Sequence, residues 1–263
     1  MLTFLKGLVR NPRSASPSIS LPRQRISLEA VQLNRTVYAI GDVHGRIDLL
    51  LDAERRILQD LQNEQRQPLV VLLGDYVDRG PYSAAVLDHL ALPSPPDFER
   101  ILLCGNHDAA FAAFIEDAEN NLGWIEFGGR QTLMSYGIEP DKFIDRGRNG
   151  IRELAEIMSM AIPAAHRKLL SELPVYLKIG SLLLVHAGIR PGLPLESQRD
   201  EDLMWIREPF LSKGPEVPLF VVHGHTPAKD IQVGPRRIGI DTAALSTGHL
   251  TVLKIKDRRF SLV

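Results

Sequence analysis

The sequence predicts an α/β fold, a layered sandwich of two mixed β-sheets flanked by α-helices, with a polar cluster at the carboxyl ends of the strands. Three observations lead there. Five apolar runs each stop at a small residue with oxygen or nitrogen donors beside it. Between the first two runs, residues 46 to 63 place Ile47, Leu50, Leu51, Ile57, Leu58 and Leu61 at helical spacing, which makes a βαβ unit. After residue 175, short apolar runs follow one another closely with Gly and Pro turns between them, the pattern of a second, largely antiparallel sheet packed on the first.

The chain is organised around Gly74-Asp75-Tyr76-Val77-Asp78-Arg79-Gly80, which follows the run Pro68 to Leu73. A buried strand stopping at Gly-Asp leaves a carboxylate at the sheet's carboxyl edge, where open α/β sheets place their ligands. Asp75 is thus the first candidate metal ligand. Gly-Asp alone also occurs as a plain turn in which Asp bonds its own backbone, but four other stretches repeat the design. Val37–Ile40 leads into Gly41-Asp42-Val43-His44-Gly45, and Ile101–Cys104 into Gly105-Asn106-His107-Asp108. Leu182–Val185 leads into His186-Ala187-Gly188, and Leu219–Val222 into His223-Gly224-His225-Thr226-Pro227. Asp, His and Asn donors without a thiolate suit Mn, Fe or Zn, and a shared carboxylate suits two ions. A two-metal centre clamps the attacking and leaving oxygens at phosphorus, so phosphate ester hydrolysis is the natural chemistry.

Taken in order, residues 1–33 carry Pro12, Pro17, Pro22 and several serines among Lys6, Arg10, Arg13, Arg23 and Arg25. They read as a flexible basic extension of unknown partner, whose first ten residues are too few for a stable helix alone. Residues 34–263 form one catalytic domain. Its elements are a strand before Gly41, a helix over 46–63, a strand over 68–73 and a helix over 82–91 that Pro93, Pro95 and Pro96 end. A strand over 100–104 and a helix over 108–120 follow. A helical insertion spans about 120–173, the kind of segment that shapes access to a site. Strands come at about 175–179, 181–186, 219–223, 236–241 and 249–255.

At 263 residues the length fits one domain. The 31 Lys and Arg balance the 32 Asp and Glu, which excludes recruitment of nucleic acid or an anionic membrane by overall charge. The lone cysteine, Cys104, ends an apolar run and reads as packing, which suits the cytoplasm. Lys6 interrupts the apolar start, unlike a secretory signal, and no run approaches the roughly 20 residues of a membrane helix, so a soluble protein without a transmembrane segment is expected.

The three glycine-framed motifs, in this order and followed by His186 and Gly224-His225, closely resemble the phosphoprotein phosphatase branch of the calcineurin-like metallophosphoesterases, from about residue 36 to 255. The resemblance implies two divalent metal ions, manganese first with iron or zinc as alternatives. Asp42, His44 and Asp75 would hold one, and Asp75, Asn106, His186 and His225 the other, with Asp75 bridging. His223 and His225 compete, because residues two apart on a strand face the same way; the resemblance picks His225, leaving His223 as a packed or supporting histidine. It further implies that His107, paired with Asp78, protonates the leaving oxygen, and that Arg79 binds phosphate. Trp205-Ile206-Arg207-Glu208 resembles a segment of compact bacterial and phage members and nominates Arg207 as a second phosphate-binding arginine, against the plainer reading of a solvated charge beside a buried Trp205.

The implied reaction is in-line attack by a metal-activated hydroxide without a phosphoenzyme. The implied substrate is phosphoserine or phosphothreonine in proteins, with phosphotyrosine or small phosphoesters as further candidates. Two rivals stand beside it: a symmetrical diadenosine tetraphosphate hydrolase, which shares the motifs, and a non-catalytic scaffold binding partners through its basic tail. The motifs build the phosphoryl site and leave the substrate groove open.

Overall fold

The computed structural model describes residues 22–29, 35–61 and 66–263, and in it the apolar runs become strands whose alternation sets the layers. In β2 (Val37–Ile40) and β3 (Leu69–Leu72) every residue is buried. Val37, Ala39, Leu69 and Val71 pack between the two sheets with Leu177, Ile179, Leu184 and Val222, while Tyr38, Ile40, Val70 and Leu72 pack on the outer side with Leu50, Ile57, Val86 and Phe111. Period-two alternation with both faces apolar is what a sheet covered on both sides requires.

β2 and β3 are parallel neighbours, and β3 pairs in parallel with β4 (Glu99–Leu102). On the other side of β2 lies the antiparallel β10 (Val252–Lys256), which turns back into β11 (Arg259–Leu262), giving the order β11-β10-β2-β3-β4. The crossovers are α1 (Ile47–Asp60) and α2 (Ser83–Ala91), and α3 (Asn106–Glu116) follows β4. α3 begins two residues before the expected position, which puts Asn106 and His107 in its first turn.

The second sheet comprises β1 (Arg25–Leu28), β5 (Tyr176–Ile179), β6 (Leu182–Val185), β7 (Phe220–His223), β8 (Gln232–Gly234) and β9 (Arg237–Gly239), in the order β1-β5-β6-β7-β9-β8. It is mixed and not largely antiparallel: β1/β5, β6/β7 and β7/β9 are parallel, β5/β6 and β8/β9 antiparallel. The reason lies in the connection from β6 to β7. It carries α8 (Asp200–Trp205) and α9 (Phe210–Lys213), long enough to return the chain to the same end of the sheet.

One boundary changes. Residues 25–28, assigned from sequence to the flexible extension, form β1 on the edge of this sheet, with Arg25 opposite Tyr176. Arg23 and Arg25, counted as tail charge, are structural: Asp200 accepts from the Arg23 amide at 2.8 Å and pairs with the Arg25 guanidinium, and Arg23 Nη1 donates to the Leu170 carbonyl at 3.0 Å. Four residues with two apolar positions in a Pro- and Ser-rich context are too short a pattern to read as a strand. Residues 1–21 and 30–34, including the first ten discussed above, lie outside the described residues.

The insertion holds a helical turn at Ile125–Gly129 that is kinked at Gly128, then α4 (Arg130–Ser135), α5 (Asp141–Ile144), α6 (Gly147–Ala161) and α7 (Ala164–Glu172). A short α10 (Ala244–Thr247) precedes β10. Among the described residues no helix is long and apolar enough to cross a membrane.

The role of β1 is checked by a charge at Ile26, which packs against the inter-sheet core. Ile26→Asp is expected to lower the unfolding free energy by about 2–4 kcal/mol in urea titrations. The same charge on a detached tail would leave the midpoint unmoved.

Candidate metal centre

Because β2, β3 and β4 are parallel, their carboxyl ends share one edge, and the parallel β6 and β7 deliver His186 and His225 to it from the other sheet. The loops after β3 and β4 touch backbone to backbone. At Gly74, with φ of 107°, an added Cβ would lie 2.4 Å from the Gly105 nitrogen, so only glycine fits. His44, Asp75, Asp78, Arg79 and His225 also have positive φ, at 43°, 55°, 72°, 67° and 64°. For side chains with a Cβ this left-handed backbone costs about 1–2 kcal/mol per residue, and such strain persists where surroundings enforce it.

Asp108 supplies much of that enforcement. Its Oδ2 accepts from the amides of Asp75 at 2.7 Å and Gly105 at 2.9 Å, and its Oδ1 accepts from the Tyr76 amide at 2.9 Å. One buried carboxylate thereby ties the loops after β3 and β4 together. The sequence reading quoted Asp108 only as the end of a motif. The available signal was an acidic side chain three residues after Gly105, placed to cap α3.

Asp75 lies between two histidines. Its Oδ2 is 3.7 Å from His44 Nε2 and its Oδ1 is 3.5 Å from His186 Nε2. His44 Nδ1 is 3.0 Å from the Val77 carbonyl and His186 Nδ1 is 2.9 Å from the Leu73 carbonyl, which assigns the ring proton to Nδ1 in both. The Nε2 lone pairs therefore face a carboxylate. His186 Nε2 and His225 Nδ1 lie 2.8 Å and 2.9 Å from Asn106 Oδ1, and the buried Nε2 atoms of His225 and His107 have no hydrogen-bond partner. Lone pairs set against carboxylate oxygens repel unless a cation stands between them, and histidines pinned by a backbone carbonyl are how metal ligands are usually oriented. The residues present thus fit two cations: His44 and Asp75 face one side, with the His107 ring beside them, and Asp75, His186 and His225 group on the other.

The electrostatics agree. Burial pulls His44 down to about 4 and His225 to about 3, and it lowers His186 as well, which keeps these rings neutral and able to donate a lone pair. Burial would push Asp75 up, yet the charge that His186, His107 and His44 carry when protonated holds it well below the usual carboxylate range, so Asp75 is already an anion where those rings turn neutral. Asp42 sits at the margin of the cluster, both of its oxygens accepting from the His225 amide at 3.2 and 3.1 Å, and burial with the charges of Asp241 and Asp75 pushes it up. Sequence reading missed Asp241, although Ile240-Asp241 at the end of the predicted 236–241 strand, just past the observed β9, repeats the strand-end design. Burial raises Asp241 to about 6, and burial with the charge of Asp75 raises Asp108 to about 7.

His107 and Asp78 pair at 2.7 Å between Nδ1 and Oδ2, both essentially inaccessible. Arg79 is exposed, and its Nη1 donates to His44 Nε2 at 3.2 Å. Arg207 is exposed too, close enough for its charge to act on His225 and Asp241. Trp205 is not buried as the plainer reading of that segment assumed; it is 44% exposed. His223 packs on Phe210, its Nδ1 donating to the Gly224 carbonyl. The two-residue rule does not apply there, because β7 ends at His223 and His225 follows in left-handed backbone.

The calcineurin-like phosphoesterase family profile matches residues 35–250. The chain belongs to this family. A serine/threonine-protein phosphatase 2 of Escherichia coli (strain K12) is 26% identical over 234 residues, covering 84% of this chain and 94% of that one. An asymmetrical bis(5'-nucleosyl)-tetraphosphatase PrpE of Halalkalibacterium halodurans is 23% identical over 241 residues, covering 84% and 90%. Among solved structures, a cold-active protein tyrosine phosphatase superposes with a TM-score of 0.61 at 16% identity, covering 91% of this chain and 78% of that one, a likeness of fold. This metallophosphoesterase is accordingly a phosphoester hydrolase of the phosphoprotein phosphatase branch, a family built around a dinuclear metal centre.

A pH dependence follows for the metal-free protein. Asp108 and Asp241 have folded values raised above the ordinary 3.8, so their contribution to stability is lost as they ionise between about pH 4 and about pH 7. His44 and His225, lowered from 6.5, work the other way across the same window, because they bind fewer protons folded than unfolded. In chelator-treated protein Asp241→Asn removes part of the falling contribution, so its urea midpoint is expected to rise relative to the unsubstituted chain as pH goes from about 4 to about 7.

Proposed function

We propose that this metallophosphoesterase is a manganese-dependent phosphomonoesterase acting on phosphoserine and phosphothreonine in proteins. The observation that carries the chemistry is the His107–Asp78 pair, whose free Nε2 is buried beside Asp75 among neutral histidines. The protein-phosphatase assignment is supported by the full-length similarity to the E. coli serine/threonine phosphatase. Asp42, His44 and Asp75 would hold one ion, and Asp75, Asn106, His186 and His225 the other. Manganese suits these oxygen and imidazole donors, with iron or zinc as alternatives. When bound, the pair of ions supplies a water acidic enough to attack phosphorus and neutralises phosphoryl charge.

The chain's own groups do the rest. Arg79 and Arg207 bind the phosphoryl oxygens through planar guanidinium groups, which hold charge in place as it develops. His107 keeps its Nδ1 proton on Asp78 and gives the Nε2 proton to the departing serine or threonine oxygen. His44 and His186, locked by the Val77 and Leu73 carbonyls, keep their Nε2 lone pairs aimed at the centre. The buried lone cysteine fits a reducing, cytoplasmic setting.

A second reading, hydrolysis of dinucleoside tetraphosphates, is favoured by one observation besides the PrpE similarity. Trp124, Phe127 and Trp205 line an open cavity of about 390 Å³, and Phe127 stacks on His107. Aromatic faces of that kind stack nucleobases.

Protein stripped of metal and reloaded with manganese is expected to release phosphate from phosphoserine and phosphothreonine peptides, with activity abolished by Asp75→Asn. His107→Asn is expected to lower kcat on these peptides by about 10²–10⁴-fold while bound manganese stays unchanged. Diadenosine tetraphosphate measured in parallel decides the substrate class. Efficient cleavage with poor peptide turnover would overturn the protein-phosphatase reading, and the product, ADP alone or AMP with ATP, would separate symmetrical from asymmetrical hydrolysis.

A further inference from the structure

Asp78 makes more contacts than a partner for His107 requires. Its Oδ2 accepts from Trp124 Nε1 at 2.8 Å as well as from His107 Nδ1 at 2.7 Å, and its Oδ1 accepts from Thr132 Oγ1 at 2.7 Å. The Thr132 hydroxyl in turn accepts from the Asp78 amide at 2.9 Å. Trp124 and Thr132 both come from the insertion, Trp124 just before the kinked turn Ile125–Gly129 and Thr132 in the first turn of α4.

The same turn touches the pair in two more places. Phe127 stacks on the His107 ring with centroids 4.0 Å apart and planes 6° from parallel. The Gly128 carbonyl accepts from the Arg79 amide at 3.0 Å, which supports the left-handed backbone of Asp78 and Arg79 from outside. Gly128 itself has φ of 129°, and an added Cβ would lie 3.0 Å from Arg79 Cγ and 3.3 Å from Asp78 Cβ. A side chain at Gly128 would therefore be strained in its backbone and tight against the motif loop.

We propose that Trp124 and Thr132 are positioning residues for the proton donor: they fix Asp78 so that His107 presents its Nε2 edge to the leaving oxygen, while Phe127 covers one face of the ring. The inference rests on the reading of His107 as the acid. In the step it serves, the P–O bond to the leaving group breaks and the proton on His107 Nε2 passes to that oxygen. An ester whose leaving group is a stable anion needs no such proton. Residues that only position the acid therefore matter for poor leaving groups and not for good ones.

The test compares an alkyl substrate, a phosphoserine peptide, with 2,4-dinitrophenyl phosphate on manganese-loaded enzyme. Trp124→Phe keeps the aromatic packing and removes one hydrogen bond to a charged carboxylate. It is expected to lower kcat on the peptide about tenfold or more, while KM stays the same and dinitrophenyl phosphate turnover changes less than about twofold. Thr132→Val should show the same selectivity and Thr132→Ser should recover most of the loss, with melting temperatures recorded for each. His107→Asn is the reference. If His107→Asn is selective for the poor leaving group and Trp124→Phe and Thr132→Val are equally impaired on both substrates, or unimpaired on both, the positioning inference is wrong. If His107→Asn itself shows no selectivity, the acid assignment fails and the positioning inference falls with it.

Discussion

The carboxylates of Asp42, Asp75, Asp108 and Asp241 sit almost wholly out of water, close enough that the charges of the other three act on Asp42. Buried charge of one sign costs several kcal/mol per ion unless something answers it. The chain answers part of it with backbone: three amides on Asp108 and one each on Asp42, Asp75 and Asp241. Around Asp75 it offers His44 and His186, whose ring protons are committed elsewhere, so lone pairs meet oxygens. The strained loops, the glycine contacts and the capped start of α3 all serve to hold this arrangement, which is complete only with cations in it.

What the sequence revealed and what it hid divide along a physical line. That Asp42, His44, Asp75, Asn106, His186 and His225 gather at one place was legible because each stands at the end of an apolar run, and the parallel strands bring those ends to one edge. The pairing of His107 with Asp78 was legible from the family resemblance alone, since no spacing rule joins positions 29 residues apart. That Asp108, Trp124 and Thr132 lie against this cluster was not legible. Their contacts are made across the fold to backbone or to another side chain, and residue type does not announce that. β1 was hidden for a different reason: its stability comes from the edge of β5 and from Asp200, not from its own short pattern.

The division also separates chemistry from substrate. Strand ends fix the phosphoryl site rigidly, whereas the insertion contributes Trp124 and Phe127, and Phe127 packs on Trp205 at the wall of an open cavity. Trp205 is exposed, and a large aromatic left in water beside a reaction centre is the kind of surface that a substrate covers. Peptide and nucleotide readings thus differ in what lies against these rings, and share everything beneath them.

The strand order has a consequence for how the protein is made. β2, β3 and β4 leave the ribosome early, yet β2 takes its antiparallel neighbour from residues 252–256, and β1 waits for β5. Neither sheet can be completed in the order of synthesis. Contacts this distant along the chain slow folding, and until β10 arrives, the edge of β2 is an unpaired apolar strand open to other nascent chains. A protein of this topology depends on shielding during translation, and crowding of partly made copies is its characteristic hazard.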